Sequence, residues 1–578
     1  MKSIEFHNSP NILINAGIIA LYIYLKKFKQ ETEIEYNFNL SENSLMVESD
    51  NLFQLLENVY YFMAYELYDT STSKQLKKYT NAYYNVDSDT FVKFPKMTTF
   101  GLAALITNNK AGKTRTAENT KKKKNLLETN PNFMKKVSDF FSRENLKLQQ
   151  QIYFNEPYTK ITRLELDERF FKSGEKICSL TGEKYQKLET LQNVSPFIAN
   201  LNTFNSFFME DTKPQISWKV KYLVHFSPKL CLYKYSNKIY ESLLIYFFDS
   251  TNLKNLLDLY EINKSFYKTS IELEENNYLE NYNLFEIKDF FTEQYENLFA
   301  IIYTFYLQFL KTQNLETNNN LDDPFAKSKF EKIPISLVSF RANKFSKTMR
   351  PDSYDEINNF KFIVRVIHYL ETKGIRFDII LYNLKIISVS QKNTKNHFCI
   401  ERQLRNRVLE KFIKSKSILT DMEWLFFQSF KYLFDKNYYE NRNYNALIDF
   451  VKYYEQIIKY GGNKSMNPEL QEKAIKLGTS IGMGILLFEN EDNKTDKKKE
   501  NIKKARKYII GIRKAGNFEK FADALIRIQE RFLLSVSKEL LQQINNDNFS
   551  YIQKFIIISM LNHVNPIIRN HKEKNKNQ

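Results

Sequence analysis

Apolar residues recur every three to four positions along much of this chain, the period of a helix with one buried face. Residues 11–30 carry the pattern and end at the basic pair Lys26 and Lys27. Residues 51–68, NLFQLLENVYYFMAYELY, carry it again. At 101–125 a short apolar helix breaks into a long, polar, very basic loop, and helical pattern resumes near Phe133. Residues 160–235 are punctuated by Gly174, Gly182, Pro196, Pro214 and Pro228, so mixed structure is expected there. Residues 239–311 read as largely helical and aromatic, and 315–330 as a polar linker. Ile333 to Phe340 reads as a strand entering a basic loop. A helix over 359–373 stops at Gly374, and 375–390 alternates like a strand pair.

From residue 420 onward the pattern is helical throughout. Thr420 and Glu423 have capping-box spacing. Gly461 and Gly462 end one hairpin, and Asn467-Pro468-Glu469 opens the next helix. Gly516-Asn517 and residues 546–550 are further helix boundaries. The expected fold is mostly α, with an α+β N-terminal region and a C-terminal helical bundle. The expected segments are 1–315, a mixed stretch with a basic loop at 316–415, and the bundle at 416–578. This agrees with roughly 100–200 residues per domain.

Charge changes the picture from architecture to partners. Lys and Arg number 85 against 67 Asp and Glu, a net charge of +18 over 578 residues. Such a field captures polyanions, nucleic acid first among them. The cysteines Cys178, Cys231 and Cys399 are not closely paired, which points to a reducing, cytoplasmic setting. The N-terminal apolar run contains Asn15 and has no cleavage-site pattern, so it reads as a core helix. No stretch approaches the roughly 18 apolar residues of a membrane span, so no membrane partner is expected.

Motifs that resemble catalytic sites are incomplete. Ala111-Gly112-Lys113-Thr114 ends like a phosphate loop, but Thr107 stands where the first glycine belongs. Asp352, Glu371 and Lys373 have the residue types of a metal-dependent nuclease, yet Glu371 falls at the end of a helical pattern. The six histidines are dispersed and form no metal spacing. Neither cofactor nor metal is expected, and the chain reads as a binding protein rather than an enzyme.

Three basic clusters are candidate nucleic-acid contacts. Lys110, Lys113, Arg115, Lys121, Lys122, Lys123 and Lys124 lie in one loop among threonines and asparagines that can assist phosphate binding. Arg341, Asn343, Lys344, Phe345, Lys347 and Arg350 combine base-reading, phosphate-binding and stacking types. In NIKKARKYIIGIRK, residues 501–514, Lys503, Arg506, Lys507, Arg513 and Lys514 share one helix face. Ile502, Ala505, Ile509 and Ile512 share the other, so one face packs and one stays basic.

Four collinear stretches resemble the large subunit of the type I-B CRISPR interference complex, Cascade, in the branch named for paired CxxC motifs. They are Asn15 to Leu21, Cys178 to Lys184, Ser195 to Leu201 with Phe204 to Phe207, and Tyr508 to Ala515 through Phe521 to Arg527. The family's zinc knuckle uses two CxxC pairs. Here Thr181 replaces a thiol and the second pair is missing, so a degenerate knuckle without zinc is expected at 170–235.

The resemblance implies a non-catalytic subunit that binds target double-stranded DNA near the protospacer-adjacent motif and near the crRNA 5′ end. It implies stabilisation of the R-loop and of the displaced strand. The implied partners are crRNA, the backbone and crRNA-handle subunits, a small subunit and a separate helicase-nuclease. The segment 466–578 would be small-subunit-like, with Met466 a candidate internal start.

Overall fold

The computed structural model describes residues 2–67, 79–85, 89–93, 125, 128–129, 132–143, 151–154, 166, 171–190, 215–236, 242–267, 278–280, 282, 293–312, 323–326, 328, 330–345, 348–384, 387–390, 397–401, 403–433, 442–460, 468–489, 494–535 and 538–574. The fold is mostly α, with an α+β N-terminal region and a C-terminal helical bundle. It divides into two compact units: Met1–Leu284 with Lys329–Asn358, and Phe285–Ser328 with Asn359–Gln578. The stretch 316–415 read from sequence as one segment is therefore shared between the two. The physical reason is strand pairing: its hairpin, 336–357, adds to a sheet strand that comes almost a hundred residues earlier.

In the first unit, β1 (Lys2–His7), β2 (Asn37–Leu40) and β3 (Ser44–Ser49) form an antiparallel sheet in the order β1-β3-β2. Helices α1 (Ile12–Glu31) and α2 (Leu52–Leu67) stand where their apolar period predicts. Asn11 caps α1 by accepting the Leu13 N–H at 3.0 Å. Buried Asn15 holds the preceding loop, accepting from the Ser9 N–H (2.9 Å) and donating to the Ser9 carbonyl (2.8 Å). Gly17 lets α1 cross the later helix at 218–226, because a Cβ there would sit 2.2 Å from the Leu223 carbonyl oxygen. The core between them is aromatic, with Phe6, Tyr24, Tyr60, Tyr222 and Phe226 all buried.

A smaller sheet joins β4 (Tyr79–Asn85) to β5 (Thr90–Lys93) and to β6 (Gln151–Phe154). Helix α3 (Phe133–Arg143) closes its own cluster there, with Phe133, Phe140 and Phe141 against Tyr84. Two short hairpins follow, β7 (Lys176–Ile177) with β8 (Lys184–Tyr185), and β9 (Glu189–Thr190) with β10 (Gln215–Ile216). Helix α4 (Trp218–Phe226) comes next.

The main sheet contains β11 (Leu232–Ser236), β12 (Ser242–Asp249), β13 (Tyr278–Glu280), β14 (Ser336–Phe345) and β15 (Thr348–Ile357), in the order β13-β11-β12-β14-β15. Helix α5 (Leu253–Asn263) lies between β12 and β13 in sequence. The helical expectation for 239–311 is thus corrected over 242–249. SLLIYFFD is buried on both sides, so it lacks the alternation that marks a half-buried strand. The expected basic loop after Phe340 is instead largely the β14–β15 hairpin.

The second unit opens with α6 (Gln294–Thr312), α7 (Phe360–Thr372) and α8 (Phe377–Asn383). The strand pair expected over 375–390 is corrected: among the described residues of that stretch only 387–390 is a strand, β16 (Ile387–Ser390), and it pairs with β17 (His397–Glu401). Phe377, Ile380, Leu381 and Leu384 are buried at helical spacing, a short run that alternation cannot tell from a strand. Then come α9 (Leu404–Ile413), α10 (Leu419–Leu433), α11 (Tyr444–Tyr460), α12 (Pro468–Leu487), α13 (Thr495–Lys514), α14 (Phe518–Phe532), α15 (Lys538–Gln543) and α16 (Phe549–Lys574).

Helix α16 packs on α10, α11, α12, α13 and α14. Gly478 of α12 permits the closest of these crossings, since a Cβ would meet the Ile556 carbonyl oxygen at 2.4 Å. The expected capping box at Thr420 is not the device that starts α10. The buried Glu455 carboxylate reaches in from α11 and accepts the N–H groups of Ile418 (2.8 Å) and Leu419 (3.1 Å). Asn517 does cap α14 as its spacing predicts, accepting the Lys520 N–H at 3.0 Å.

Candidate nucleic-acid interface

Helix α13 forms because fourteen residues with no acid, 501–514, set an apolar stripe against a cationic one. The structure buries Ile502, Ala505, Ile509 and Ile512 as that stripe predicts. Lys503, Arg506, Lys507 and Lys514 are exposed. Arg513 is not with them. Its guanidinium Nε donates to the buried Glu423 carboxylate of α10 at 2.6 Å and lies 4.0 Å from the centre of the Phe427 ring. Arg513 is therefore committed to holding α13 on α10, which removes it from the candidate phosphate contacts.

Lys503, Arg506 and Lys507 line two adjoining clefts. One, of about 810 Å3, runs between α13 and α14 and is lined by Lys507, Tyr508, Lys520, Arg527 and Arg531, with Asp523 and Glu530 among them. The other, of about 500 Å3, is lined by Lys503, Lys504, Arg506, Lys507, Tyr508 and Arg531. Lys504 is engaged by Glu500 at 2.6 Å. Tyr508 and Arg531 line both clefts. Half-exposed Tyr508 rests edge-on against Phe532 at 6.2 Å, and Lys507 Nζ sits 5.0 Å from the Tyr508 ring centre. The result is an open trough with an aromatic face and cations along both walls, the combination that holds a nucleic-acid backbone while a base stacks.

Sequence reasoning missed Lys504, Tyr508, Lys520, Arg527 and Arg531 as members of this site. A signal existed, because 520, 527 and 531 share one helical row. The interleaved acids Glu519, Asp523 and Glu530 mask it when charge is summed along the chain.

The second cluster is arranged differently. β14 and β15 pair with a register shift between Arg341 and Ala342, so Arg341 faces Ser353, Ala342 faces Pro351, and Asp352 is the extra residue. β15 is the edge strand, where a proline is tolerated. The carboxylate of Asp352 lies 3.3 Å from Arg341 Nε, and Asn343 Oδ1 lies 3.4 Å from the same nitrogen. Lys344, Phe345 and Arg350 are on these strands, and Lys347 lies outside the described residues. The first cluster, Lys110 to Lys124, also lies outside the described residues, as does Met466.

The three residues of nuclease type fall in different units. Asp352 belongs to the first unit and is paired with Arg341, whereas Glu371 and Lys373 belong to the second. Glu371 accepts the Tyr303 hydroxyl at 2.6 Å, and burial raises its pKa above the usual carboxylate range.

At the knuckle-like turn, Cys178 is buried and accepts the Ser217 N–H at 3.3 Å. Burial raises the thiol's pKa. Hydrogen bonds from Thr181, Leu180 and Ser217 outweigh that and leave it below a free thiol. A single thiol does not fit tetrahedral zinc. Among the described residues no group of three or more His, Cys, Asp or Glu is placed to hold a metal ion. No described helix is long and apolar enough to cross a membrane.

No protein-family model matches the chain, and no curated protein matches it.

Proposed function

We propose that this chain is a nucleic-acid-binding subunit without catalysis of its own, and specifically the large subunit of a type I-B Cascade. The observation that carries the binding half is the cationic, tyrosine-faced trough between α13 and α14. The Cascade half rests on the four collinear sequence stretches. Two of those stretches have clear physical roles: Asn15 holds the loop before α1 and Gly17 permits the α1–α4 crossing, while 508–527 builds the trough hairpin.

In this reading guide pairing selects the target, and the trough holds a displaced strand by its phosphates. The crRNA, the backbone and handle subunits, a small subunit and a helicase-nuclease are the proposed partners. The proposed compartment is the cytoplasm.

The test is binding of single-stranded DNA by the full chain across a salt series. The parent protein is expected to lose affinity steeply with salt. Replacing Lys507, Lys520 and Arg527 by alanine should lower the slope of log affinity against log salt by about two units, roughly 0.7 per phosphate contact on a single strand. Unchanged affinity and slope would overturn the binding half. Mg²⁺-dependent strand scission by the parent chain would overturn the non-catalytic half.

A further inference from the structure

One face of the main sheet carries a second cleft of opposite character. Ile245, Phe247 and Asp249 of β12 lie on it. The pairing register extends that face through Phe340 on β14 to Tyr354 and Glu356 on β15. The first turn of α1 lies over the same surface, and together they enclose about 330 Å3. Ligand cavities run from about 300 to 1,000 Å3, so this one has room for a single side chain.

Its chemistry is acidic and aromatic. Among the described residues no lysine or arginine lines it, on a chain of net charge +18. The rings of Phe340 and Tyr354 stand 5.0 Å apart at 58°, and Tyr354 is 56% exposed. The Tyr354 hydroxyl donates to the Glu356 carboxylate at 3.2 Å. Asp249 Oδ1 is sealed from solvent and takes no hydrogen bond from a described residue. Burial holds the Asp249 carboxyl above the usual range, opposed by hydrogen bonds from the Ser250 backbone and the Asn15 side chain. The charge of Glu356 raises it further. Nor is Asp249 the cap of α1, because Asn11 already takes that role. The exposed Glu356 carboxylate and two ring faces, with no described lysine or arginine among them and buried Asp249 behind them, match a planar guanidinium. That group forks onto carboxylates and stacks on aromatic rings, where an ammonium acts only as a point charge.

The setting favours a cation carried on a polypeptide. β15 is the last strand in the sheet order, so its outer main-chain groups lie beside the cleft. An extended segment added there would point alternate side chains onto this face. We propose that the cleft receives an arginine side chain carried on an extended segment of a partner protein lying along β15. The site lies wholly within the first unit and does not depend on the trough, so failure of either leaves the other standing.

Saturation-transfer NMR on the full chain tests this with three probes: N-acetyl-arginine amide, its neutral isostere N-acetyl-citrulline amide, and a heptapeptide with one central arginine among alternating valines and threonines. The expected result is saturation of the arginine side chain, none of the citrulline, and tighter binding of the peptide than of the amide. Glu356→Gln should weaken the peptide about tenfold, the loss of one charge-assisted contact. Tyr354→Ser should weaken it too. Both residues are exposed, and unchanged melting temperatures will show that the variants fold. Equal saturation of the arginine and citrulline probes would overturn the proposal. So would full peptide affinity in both variants. Binding of the amide at least as tight as the peptide would also overturn it, by assigning the cleft to a free cation.

Discussion

The α13–α14 hairpin and the β14–β15 hairpin look alike when charge is read along the chain, and they use their cations in opposite ways. On the helices, side chains three, four and seven residues apart share a face, so Lys503, Arg506, Lys507, Lys520, Arg527 and Arg531 gather along open clefts. On the strands, successive side chains alternate between faces, and Arg341 meets the carboxylate that the bulge at Asp352 brings beside it. A helical period can gather the cations of a basic stretch along one open cleft, whereas a strand bulge can set an acid directly against an arginine. Arg513 sharpens the lesson, because on the basic helix itself it behaves like Arg341 and is held by an acid, Glu423.

Arg513 gives the largest expected effect. Replacing it by alanine strands Glu423, whose side chain is only 8% exposed, as an unpaired buried charge. The loss should be about 2 kcal/mol in urea unfolding, with DNA affinity of the folded protein preserved. Loss of affinity at unchanged stability would return Arg513 to the binding face and break the comparison.

Tyr508 comes next. If its ring is the stacking surface of the trough, Tyr508→Ala should weaken single-stranded DNA about tenfold, and Tyr508→Phe should not, since stacking needs the ring rather than the hydroxyl. Equal loss in both variants would assign the residue to hydrogen bonding instead.

The smallest effect is expected at Arg341. With side-chain exposures of 30% and 47%, the Arg341–Asp352 pair should cost no more than about 1 kcal/mol when either partner becomes alanine. The informative measurement is DNA affinity: Asp352→Ala removes the guanidinium's carboxylate partner and should strengthen binding slightly, whereas Arg341→Ala should leave it nearly unchanged. A large loss in Arg341→Ala would make the two hairpins equivalent after all.

Long helices were legible in the sequence, because α2 and α13 each show one apolar face and Asn517 stands where a cap belongs. The buried face of α13 was legible residue by residue. β12 was not, because burial on both sides erases the alternation that signals a strand. The start of α10 was not, because its acid arrives from Glu455, more than thirty residues away. Half of the trough was hidden for a related reason. The cations of α14 are interleaved with acids along the chain, and only winding the helix brings Lys520, Arg527 and Arg531 onto one cleft, with Asp523 and Glu530 still among them. The cleft at Asp249 brings together residues more than two hundred positions apart and left no local trace.

Helix α16 lies against five earlier helices and is synthesised after every one of them. While a ribosome is still translating residues 549–574, the groove at Gly478 and the inward sides of α10 and α12 have no covering partner. The bundle therefore closes in one late step, and the nascent chain carries an uncovered greasy surface until then. A premature stop codon ahead of Phe549 would yield not a smaller bundle but a polypeptide destined for chaperones and proteases.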